Sequence, residues 1–348
     1  MKKTLALSLA LVLTLSLAGC GGTSAPAASD GANTSKTETI VLRASTPSAP
    51  EHPWSKGLDE ISKQIAEKTN GRYQIDVYYN ASLSENSEKT MTEQIMTGSL
   101  DLGVVPAPLA SSAFSAFSVP FQFDDREHIA RVCASDVAQE LLASTEEKGL
   151  HSVAYVENGF RQITNNKHPI KTPADMEGLK IRTPQAATTM AAITAMGGNA
   201  TAISAGELYV AMSQHTVDGQ ENALSTIYNN GYYEVQKYCS VLNYNWSPSI
   251  IAVNSALWAS MSAEDQAIFT EVINDAANYV NELQAAGDED LISQLEAKGM
   301  EVYVFSAEER EAFKVLCDAS QELKDAYNNT VGEDLLNQFR AAVEACRK

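Results

Sequence analysis

The residue types that most often carry catalysis show no catalytic spacing in this chain. Its five histidines are scattered, and the sequence has no H-E-x-x-H pair, no G-x-S-x-G turn and no glycine-rich phosphate loop. Beyond the first twenty residues the cysteines lie far apart, without a C-x-x-C pair: Cys133, Cys239, Cys317 and Cys346. We therefore expect no cofactor and no metal. Whether these cysteines form disulfides or stay buried thiols is left open.

Cys20 is the residue with the clearest chemical signal. Lys2 and Lys3 precede an apolar run from Leu5 to Leu17, which is shorter than the roughly 20 residues that cross a bilayer. The run ends in Leu17-Ala18-Gly19-Cys20, which resembles the lipobox of bacterial lipoproteins, where the cysteine is acylated and becomes the mature N-terminus. We predict a signal peptide over residues 1–19 and a lipid on Cys20. The alternative is an ordinary secreted protein, cleaved after a small residue.

The segment after Cys20 has side chains too small and too polar for a folded core. Residues 21–36 are mostly Gly, Ser, Thr, Ala and Pro, and such a segment buries too little surface to offset its ordering entropy. We predict a flexible, lipidated linker over residues 20–38 that ties the folded body to the outer face of a membrane.

The charge of the chain excludes two classes of partner. The formal net charge is -19, and removal of the predicted signal peptide deletes two lysines and no acid, which leaves -21. Nucleic acid and anionic lipid surfaces repel a protein of this charge, so neither is an expected partner. No second apolar run is long enough to cross a membrane.

Alternating helix and strand patterns cover the rest of the chain. Apolar residues recur at helical spacing from Trp54 to Ile65, alternate from Tyr73 to Tyr79, and predict a helix over 89–97 before a strand over 100–105. Further along the chain, the patterns predict strands at 152–156, 179–182 and 302–305 and a helix over 188–196. Capping boxes predict helix starts at Thr172 with Asp175 and at Ser204 with Glu207. A long helix is predicted after Ser262, with one apolar face formed by Ile268, Val272, Ala276, Tyr279 and Leu283. This βαβ rhythm predicts an α/β fold with parallel strands covered by helices, in two lobes.

An ordered set of short strings gives the chain a specific resemblance. The strings are His52-Pro53, Glu67 to Gly71, Val119-Pro120-Phe121, Asn158 to Asn165, Pro169 to Pro184, Gly206 to Tyr209, Val217 to Asn222 and Tyr233 to Tyr238. In this order and spacing the chain resembles the solute-binding subunits of tripartite ATP-independent periplasmic (TRAP) transporters, from about Ile40 to its end. Each string alone is weak evidence, whereas the ordered set is strong.

The resemblance implies a two-lobed periplasmic-binding-protein-like fold, with a ligand cleft between the lobes and one long helix shared by both. We expect lobe I to comprise residues 39–158 and 249–286, and lobe II residues 159–248 and 287–348. The implied ligand is a small organic acid, a sugar acid such as a uronate first and a dicarboxylate or other carboxylate next. The implied partners are the small and large integral membrane subunits of the transporter, besides the membrane that holds the lipid anchor.

Three residues match the positions where this family holds the ligand carboxylate. Arg182 lies at the end of a predicted strand, and the resemblance assigns it the main grip; Arg161 and Asn222 match positions that help hold the same end. A guanidinium suits this role because its planar fork of donors pairs bidentately with a carboxylate. Without the resemblance, an arginine at a strand end is more often paired with a surface acid.

Five further residues are weaker candidates for the ligand site. Ser45 and Glu88 align with places where family members touch the far end of the ligand, and an acid there suits hydroxyls or an amine better than a second carboxylate. Trp246 can stack on an apolar or sugar face, although a buried aromatic is the commoner outcome. His52 lies near the expected mouth of the cleft, and Tyr209 suits packing at the lobe interface as well as ligand contact.

The sequence departs from the family pattern at three places. Ser204-Ala205 stands where many relatives have an aromatic or other large residue, Ala223 replaces a common proline, and Tyr244 replaces a common histidine. The expected carboxylate grip survives these changes. They prevent the transfer of any one relative's substrate to this chain.

Two other functions remain open at this point. A sensor subunit that presents its ligand to a membrane receptor has the same lobes, so only its partners distinguish it. A secreted carbohydrate-active enzyme needs two carboxylates that meet in one cleft. It releases a changed product, whereas a binding protein returns its ligand intact. We expect the non-enzymatic receptor.

Overall fold

Strands and helices alternate along residues 39–347, the part of the chain that this computed structural model describes. The predicted signal peptide, the lipid on Cys20 and the predicted linker up to residue 38 lie outside the described residues. Between residues 39 and 347 no helix is both long and apolar enough to cross a membrane.

The described residues form ten strands and thirteen α-helices. The strands are β1 (Ile40–Ser45), β2 (Tyr73–Tyr78), β3 (Leu102–Pro106), β4 (Leu150–Asn165), β5 (Lys180–Thr183), β6 (Asn199–Ala202), β7 (Gly219–Ala223), β8 (Tyr238–Val241), β9 (Trp246–Asn254) and β10 (Glu301–Val304). The helices are α1 (Pro53–Lys68), α2 (Glu88–Thr97), α3 (Ala107–Ala110), α4 (Arg126–Cys133), α5 (Asp136–Ala143), α6 (Ala187–Ala195), α7 (Ala205–Ser213), α8 (Leu224–Asn229), α9 (Ser255–Ser260), α10 (Ala263–Ala297), α11 (Ala307–Ala319), α12 (Gln321–Val331) and α13 (Glu333–Ala345). Short 3-10 turns lie at Ser82–Ser84, Ser112–Ser118, Ser144–Lys148, Pro173–Met176 and Tyr232–Glu234.

The first helix shows how local sequence sets the bounds of an element. α1 begins at Pro53, whose fixed φ suits the first helical position. Its buried face includes Trp54, Leu58 and Ile65, at the predicted helical spacing. The chain turns after α1 at Gly71, which has a φ of 76°, a conformation that glycine adopts without steric cost. The predictions for α1, β2, α2 and β3 are confirmed.

The strands form one mixed sheet in the order β2-β1-β3-β9-β4-β7-β5-β6, with β8 paired to β4 and β10 paired to β8. β1 pairs in parallel with β2 and β3, and β5 pairs in parallel with β6 and β7, as the βαβ rhythm predicted. β9 runs antiparallel to β3 and β4, and β4 runs antiparallel to β7. The predicted α/β class is confirmed, with a mixed rather than an all-parallel sheet.

β4 runs through both halves of the sheet. Its first half pairs with β9, and its second half, from Arg161 to Asn165, pairs with β7. The register with β9 shifts between Glu157 and Phe160. Gly159 lies inside this shift with a φ of 92°, which only glycine tolerates readily. The strand predicted at 152–156 is therefore part of a 16-residue connection between the two halves.

The long helix predicted after Ser262 is α10, which spans 35 residues. Val272 and Val280 pack in one apolar cluster with α1 and the β1–β3 region, whereas Leu295 packs in another cluster with α7, α8 and β8. A helix shared by both lobes is thereby confirmed. The predicted apolar face is wrong at Tyr279, which is 40% exposed, because the helix turns the neighbouring Val280 inward.

The C-terminal helices bridge elements of both predicted lobes. α12 packs against α6 and against the turn Ser112–Ser118, and α13 packs against α4 and α5. The predicted bounds assigned residues 287–348 to lobe II. In the structure α12 and α13 also contact elements assigned to lobe I.

Two predicted capping boxes have different outcomes. Asp175 Oδ2 accepts a hydrogen bond from Thr172 N at 2.8 Å, but Pro173–Met176 forms a single 3-10 turn instead of a helix. At α7 the predicted box is wrong, because the Ser204 hydroxyl donates to the Glu207 carboxylate and neither side chain caps the backbone. Glu207 still lies in the first turn, where the helix dipole favours an acid.

The four cysteines of the described chain are free thiols. Cys239 and Cys317 are buried, and burial raises the pKa of each to about 12. A thiol with so high a pKa stays protonated at neutral pH and is a poor nucleophile or metal ligand. These two residues therefore act as core side chains.

Candidate functional site

β5 carries Arg182 to the carboxyl end of the sheet, beside the parallel strands β6 and β7. The residue is 3% exposed, and its Nε donates a hydrogen bond to the carbonyl oxygen of Ile203 at 2.8 Å. Its two terminal nitrogens make no hydrogen bond or ion pair with any residue between 39 and 347. Ligands of open α/β sheets lie outside the carboxyl ends of the strands, so this guanidinium edge is available to an anion.

Arg161 forms an ion pair with Glu221 within the protein. It lies on β4, and its Nη2 donates to Glu221 Oε1 at 2.7 Å and to the Glu221 carbonyl oxygen at 2.9 Å, while its Nε donates to Glu221 Oε2. Glu221 is fully buried and also accepts a hydrogen bond from the Tyr244 hydroxyl at 2.7 Å. The Arg161 charge is therefore largely neutralised before any ligand arrives.

Asn222 joins the two strands that carry these groups. Its Oδ1 accepts a hydrogen bond from Arg161 Nη2 at 3.1 Å, and its Nδ2 donates to Gln220 Oε1 at 2.6 Å. The residue is 9% exposed, so its amide is oriented by protein partners on both sides. The structure thus brings Asn222 and Arg161 together as predicted.

Glu88, the first residue of α2, lies in the electrostatic range of both arginines. Its carboxylate makes no hydrogen bond or ion pair with any described residue. Burial raises its pKa, while Arg182 and then Arg161 oppose that rise. Tyr232 belongs to the same group: burial raises its pKa, Arg182 and Glu88 act on it, and its hydroxyl accepts a hydrogen bond from Asn230 Nδ2 at 3.3 Å.

Of the two arginines, Arg182 is the one without an ion-pair partner among residues 39–347. Burial lowers the pKa of its guanidinium, Glu221 raises it and Arg161 lowers it. The two arginines therefore differ: Arg161 is paired with Glu221, whereas Arg182 and Glu88 form no ion pair with any described residue and influence each other only through their charges. Such an arrangement can hold a single carboxylate at Arg182 and place hydrogen-bond donors of the ligand toward Glu88.

Ser45 and His52 have structural partners that the sequence did not reveal. Ser45 is fully buried, and its hydroxyl donates to the Tyr78 carbonyl oxygen at 3.2 Å. His52 is the N-cap of α1: its Nδ1 accepts a hydrogen bond from Trp54 N at 3.2 Å, and burial followed by the Lys56 charge lowers its pKa to about 3. Neither residue is brought into contact with the arginines.

Trp246 and Tyr209 make no hydrogen bond or cation-π contact with Arg161 or Arg182. Trp246 is 2% exposed, and its ring packs against Phe117 and Phe123 at centroid distances of 5.7 and 5.9 Å. Tyr209 is exposed on α7, and its hydroxyl donates to Glu234 Oε2 at 2.7 Å. The commoner alternative, a buried core aromatic, is what the structure has for Trp246.

A family model of bacterial extracellular solute-binding proteins, family 7, matches residues 44–340. The chain belongs to this family. The family-7 proteins are solute-binding proteins rather than enzymes, and those of TRAP transporters bind small organic acids and work with membrane permease subunits. The resemblance predicted from the ordered strings is therefore confirmed.

Similar proteins cover almost the whole described chain. The 2,3-diketo-L-gulonate-binding periplasmic protein of Escherichia coli is 30% identical over 292 residues, which is 82% of this chain and 86% of that protein. The C4-dicarboxylate-binding periplasmic protein of Rhodobacter capsulatus is 27% identical and covers 88% of this chain and 91% of its own. A TRAP periplasmic solute-binding protein from Chromohalobacter salexigens, solved with bound D-glucuronate, is 26% identical, covers 88% and 100% of the two chains, and superposes with a TM-score of 0.81. The similarity to this solved structure shows that the chain has the two-lobed fold of the family. The relatives themselves are periplasmic, that is, extracytoplasmic proteins.

Sequence reasoning missed three residues around this candidate site: Glu221, Tyr232 and the structural role of Tyr244. Glu221 has no local signal in the sequence, because Gly219–Ala223 has the composition of a polar segment and only the structure shows it to be a strand in which every residue is buried. A carboxylate in such a strand needs a cation and further donors. Arg161 and Tyr244 supply them, but their identity depends on the antiparallel pairing of β4 with β7, which one sequence does not show.

Proposed function

We propose that this chain is the extracytoplasmic receptor of a TRAP transporter, and that it captures one sugar acid, a uronate or aldonate, for delivery to the membrane permease. Lobe I, residues 39–158 and 249–286, would close on lobe II, residues 159–248 and 287–348. The observation that carries the proposal is the buried Arg182 guanidinium, whose terminal nitrogens have no partner among residues 39–347 and whose charge acts on Glu88.

The pairing of these two charges favours a monocarboxylate that also carries hydroxyls. Arg182 offers two free donor nitrogens to one carboxylate, and charge-assisted bonds of this kind are the strong ones. Glu88 repels a second carboxylate and accepts hydrogen bonds from ligand hydroxyls. Sugar acids meet both conditions. The relatives that bind diketogulonate and glucuronate support the same class.

Arg182→Ala tests the carboxylate grip. Two charge-assisted hydrogen bonds are lost, each worth roughly 1.5 kcal/mol or more, so affinity for a bound sugar acid should fall by about 100-fold. Lys180→Ala is the matched control, because Lys180 is an exposed residue of the same strand. Titration calorimetry with D-glucuronate and D-galactonate measures both variants. Near wild-type affinity in Arg182→Ala would contradict the site assignment.

A C4-dicarboxylate is the second candidate ligand class, supported by the Rhodobacter capsulatus relative. Succinate and D-glucuronate should then be compared side by side in a thermal-shift assay. A ligand at about a thousandfold its Kd stabilises a protein by roughly 4 kcal/mol, so a true ligand gives a clear increase in melting temperature. Stronger stabilisation by succinate than by any sugar acid would replace the proposed class. Recovery of the bound acid unchanged, checked by mass spectrometry, tests the non-enzymatic role.

The delivery role includes a lipid on Cys20 that holds the receptor beside its permease. The signal for it is the lysine start, apolar run and small residues before Cys20. Cells that express the full chain should incorporate an alkyne-tagged fatty acid into the wild-type protein. Incorporation should be lost in Cys20→Ser and kept in Cys346→Ser, which removes a thiol of the folded body. Equal labelling of both variants would exclude the anchor.

A further inference from the structure

A series of side-chain hydrogen bonds leads from Arg161 into the paired strands β7 and β4. Arg161 Nη2 donates to Asn222 Oδ1 at 3.1 Å, and Asn222 Nδ2 donates to Gln220 Oε1 at 2.6 Å. Gln220 Nε2 then donates to Thr164 Oγ1 at 2.9 Å. Thr164 lies directly opposite Gln220 in the antiparallel pair, so the strand register itself brings these two side chains together.

The series continues past Thr164 and ends on the backbone. Thr164 Oγ1 donates to Gln236 Oε1 at 2.9 Å, and Gln236 Nε2 donates to the carbonyl oxygen of Val235 at 3.0 Å. Gln236 lies in the segment before β8, so three separate parts of the chain contribute. We call the four residues between Arg161 and this carbonyl the polar chain: Asn222, Gln220, Thr164 and Gln236.

Every member of the polar chain is buried. Thr164 and Gln220 are 0% exposed, Gln236 is 3% exposed and Asn222 is 9% exposed. A buried amide or hydroxyl that loses its partner keeps the full cost of its desolvation, and hydrogen bonds in such a medium reinforce one another. Each member therefore holds its neighbours in a definite orientation.

The two ends of the polar chain permit only one direction of donation. The Arg161 guanidinium can donate hydrogen bonds but cannot accept them, whereas the Val235 carbonyl oxygen can accept but cannot donate. Each member between them must accept on the Arg161 side and donate on the Val235 side. A flipped Asn222 amide would set donor against donor at the guanidinium, and turning the other members as well would only move the conflict along the chain.

This direction decides which groups remain for a ligand at the Arg161 end. Asn222 Oδ1 is engaged by Arg161, and Asn222 Nδ2 keeps one hydrogen beyond the one that it donates to Gln220. Arg161 Nη1 makes no hydrogen bond with any residue between 39 and 347. Both remaining groups are donors, so they suit a ligand oxygen that accepts, as a carboxylate oxygen does.

We propose that Thr164, Gln220 and Gln236 are positioning residues, which hold the Asn222 amide so that it offers an N–H to the carboxylate of the captured acid. The inference rests on the proposed function, since it needs that carboxylate beside Asn222. The three residues act through Asn222. When the polar chain is cut, the amide can turn its oxygen toward the ligand carboxylate, and two acceptors then face each other.

Thr164→Val cuts the polar chain at its centre, because valine has nearly the same shape as threonine but neither donates nor accepts. Titration calorimetry uses the acid that gives the largest melting shift among D-glucuronate, D-galactonate and succinate. Affinity should fall about two- to tenfold, the range of one hydrogen bond, and Thr164→Ser, which keeps the hydroxyl, should restore it. Gln236→Met cuts the far end and should also weaken binding, so the test remains decisive if Thr164→Val folds poorly.

A double-mutant cycle separates positioning from a merely structural role. Asn222→Ala should weaken binding, and Thr164→Val added to it should cause no further loss of affinity, because the residue through which Thr164 acts is gone. Ser240→Ala is the matched control. Ser240 is a buried hydroxyl of the neighbouring β8 that donates to Ile170 O at 3.1 Å outside the polar chain, so its loss should leave affinity unchanged.

The outcomes distinguish this inference from the proposed function. Wild-type affinity in Thr164→Val and Gln236→Met, or losses in Thr164→Val and Asn222→Ala that multiply in the double variant, overturns the positioning role and leaves the receptor function intact. Wild-type affinity in Asn222→Ala overturns it as well. Failure of every acid to bind the wild-type protein overturns the proposed function, and the positioning role with it.

Discussion

Arg161 and Arg182 have the same side chain and opposite electrostatic situations. Glu221 satisfies Arg161 within the protein, and a buried ion pair of this kind fixes geometry more than it adds stability. Arg182 is less exposed still, at 3% against 9% for Arg161, but it has no counterion among the described residues. Its Nε donates a hydrogen bond to Ile203 O, which orients the side chain without neutralising its charge. A buried cation without a partner is costly to keep. The carboxylate of the proposed ligand would supply the missing counterion.

His52 provides a residue-scale prediction on stability, independent of the ligand. Its folded-state pKa of about 3 lies below its ordinary value of 6.5, so the unfolded chain binds the proton first. The contribution of neutral His52 to the free energy of unfolding is therefore complete above about pH 6.5. It is lost as pH falls, by about 1.4 kcal/mol per pH unit down to about pH 3. His52→Asn keeps an N-cap acceptor and removes this titration.

Urea unfolding at pH 7.5, 6.5, 5.5 and 4.5 measures the effect. The difference in unfolding free energy between wild type and His52→Asn should shrink steadily as pH falls, because the wild type alone loses the histidine contribution. His168→Asn, at an exposed position, should run parallel to the wild type. A constant offset between wild type and His52→Asn at every pH would mean that His52 is not buried as a neutral cap.

α1 and α10 lie far apart in the sequence and pack against each other at Gly57. A Cβ on Gly57 would lie 2.4 Å from Val280 Cγ2, well inside van der Waals contact. Glycine is otherwise unfavourable within a helix by about 1 kcal/mol relative to alanine. Its presence in α1 is therefore explained by packing, because any side chain would push α10 away.

Gly57→Ala should lower the free energy of unfolding by about 1 to 2 kcal/mol, since overpacking exceeds the gain in helix propensity. Val280→Ala in the same chain should restore part of that loss, which a double-mutant cycle by urea unfolding detects as a favourable coupling. The control is Gly287→Ala on α10, where the added Cβ meets only Leu291 Cδ1 at 3.7 Å, and where stability should hold or rise. Additive effects of Gly57→Ala and Val280→Ala would contradict the proposed steric contact.

The elements that the sequence predicted well are those whose signals are local. Helical spacing of apolar residues predicted α1, and period-2 alternation predicted β2. The sequence predicted only about a third of β4, residues 152–156. The rest could not be predicted, because the register shift of β4 and its partners β7 and β9 are set by tertiary pairing. The candidate site follows the same rule: the ordered strings selected Arg182 as a candidate, which stays a prediction, whereas the partner of Arg161 became visible only from the pairing of β4 with β7.

At the scale of the whole molecule, the two proposed lobes meet at small residues. A Cβ on Gly206, in the first turn of α7, would lie 4.0 Å from the carbonyl oxygen of Asn86. Asn86 belongs to a loop over residues 80–86 in which Asn80, Ala81, Glu85 and Asn86 all have positive φ. Such strained backbone persists only where the surroundings fix it, and Asn86 N donates to Ala81 O at 3.1 Å to close the loop. The 80–86 loop is therefore held in place by its own hydrogen bond. Between its Asn86 carbonyl and Gly206 there is room for little more than a methyl group.

A large side chain at Gly206 should prevent the lobes from closing. Gly206→Trp leaves each lobe folded, so its melting temperature without ligand should match the wild type, while affinity for the ligand falls about tenfold or more because fewer molecules reach the closed form. Small-angle scattering should show a larger radius of gyration that saturating ligand no longer reduces. Val210→Trp is the matched control, one turn further along α7 at a site that is 53% exposed, and should bind like the wild type. Tight binding and normal compaction by Gly206→Trp would mean that the approach of α7 to the 80–86 loop plays no part in closure, and that capture depends on the Arg182 end of the cleft alone.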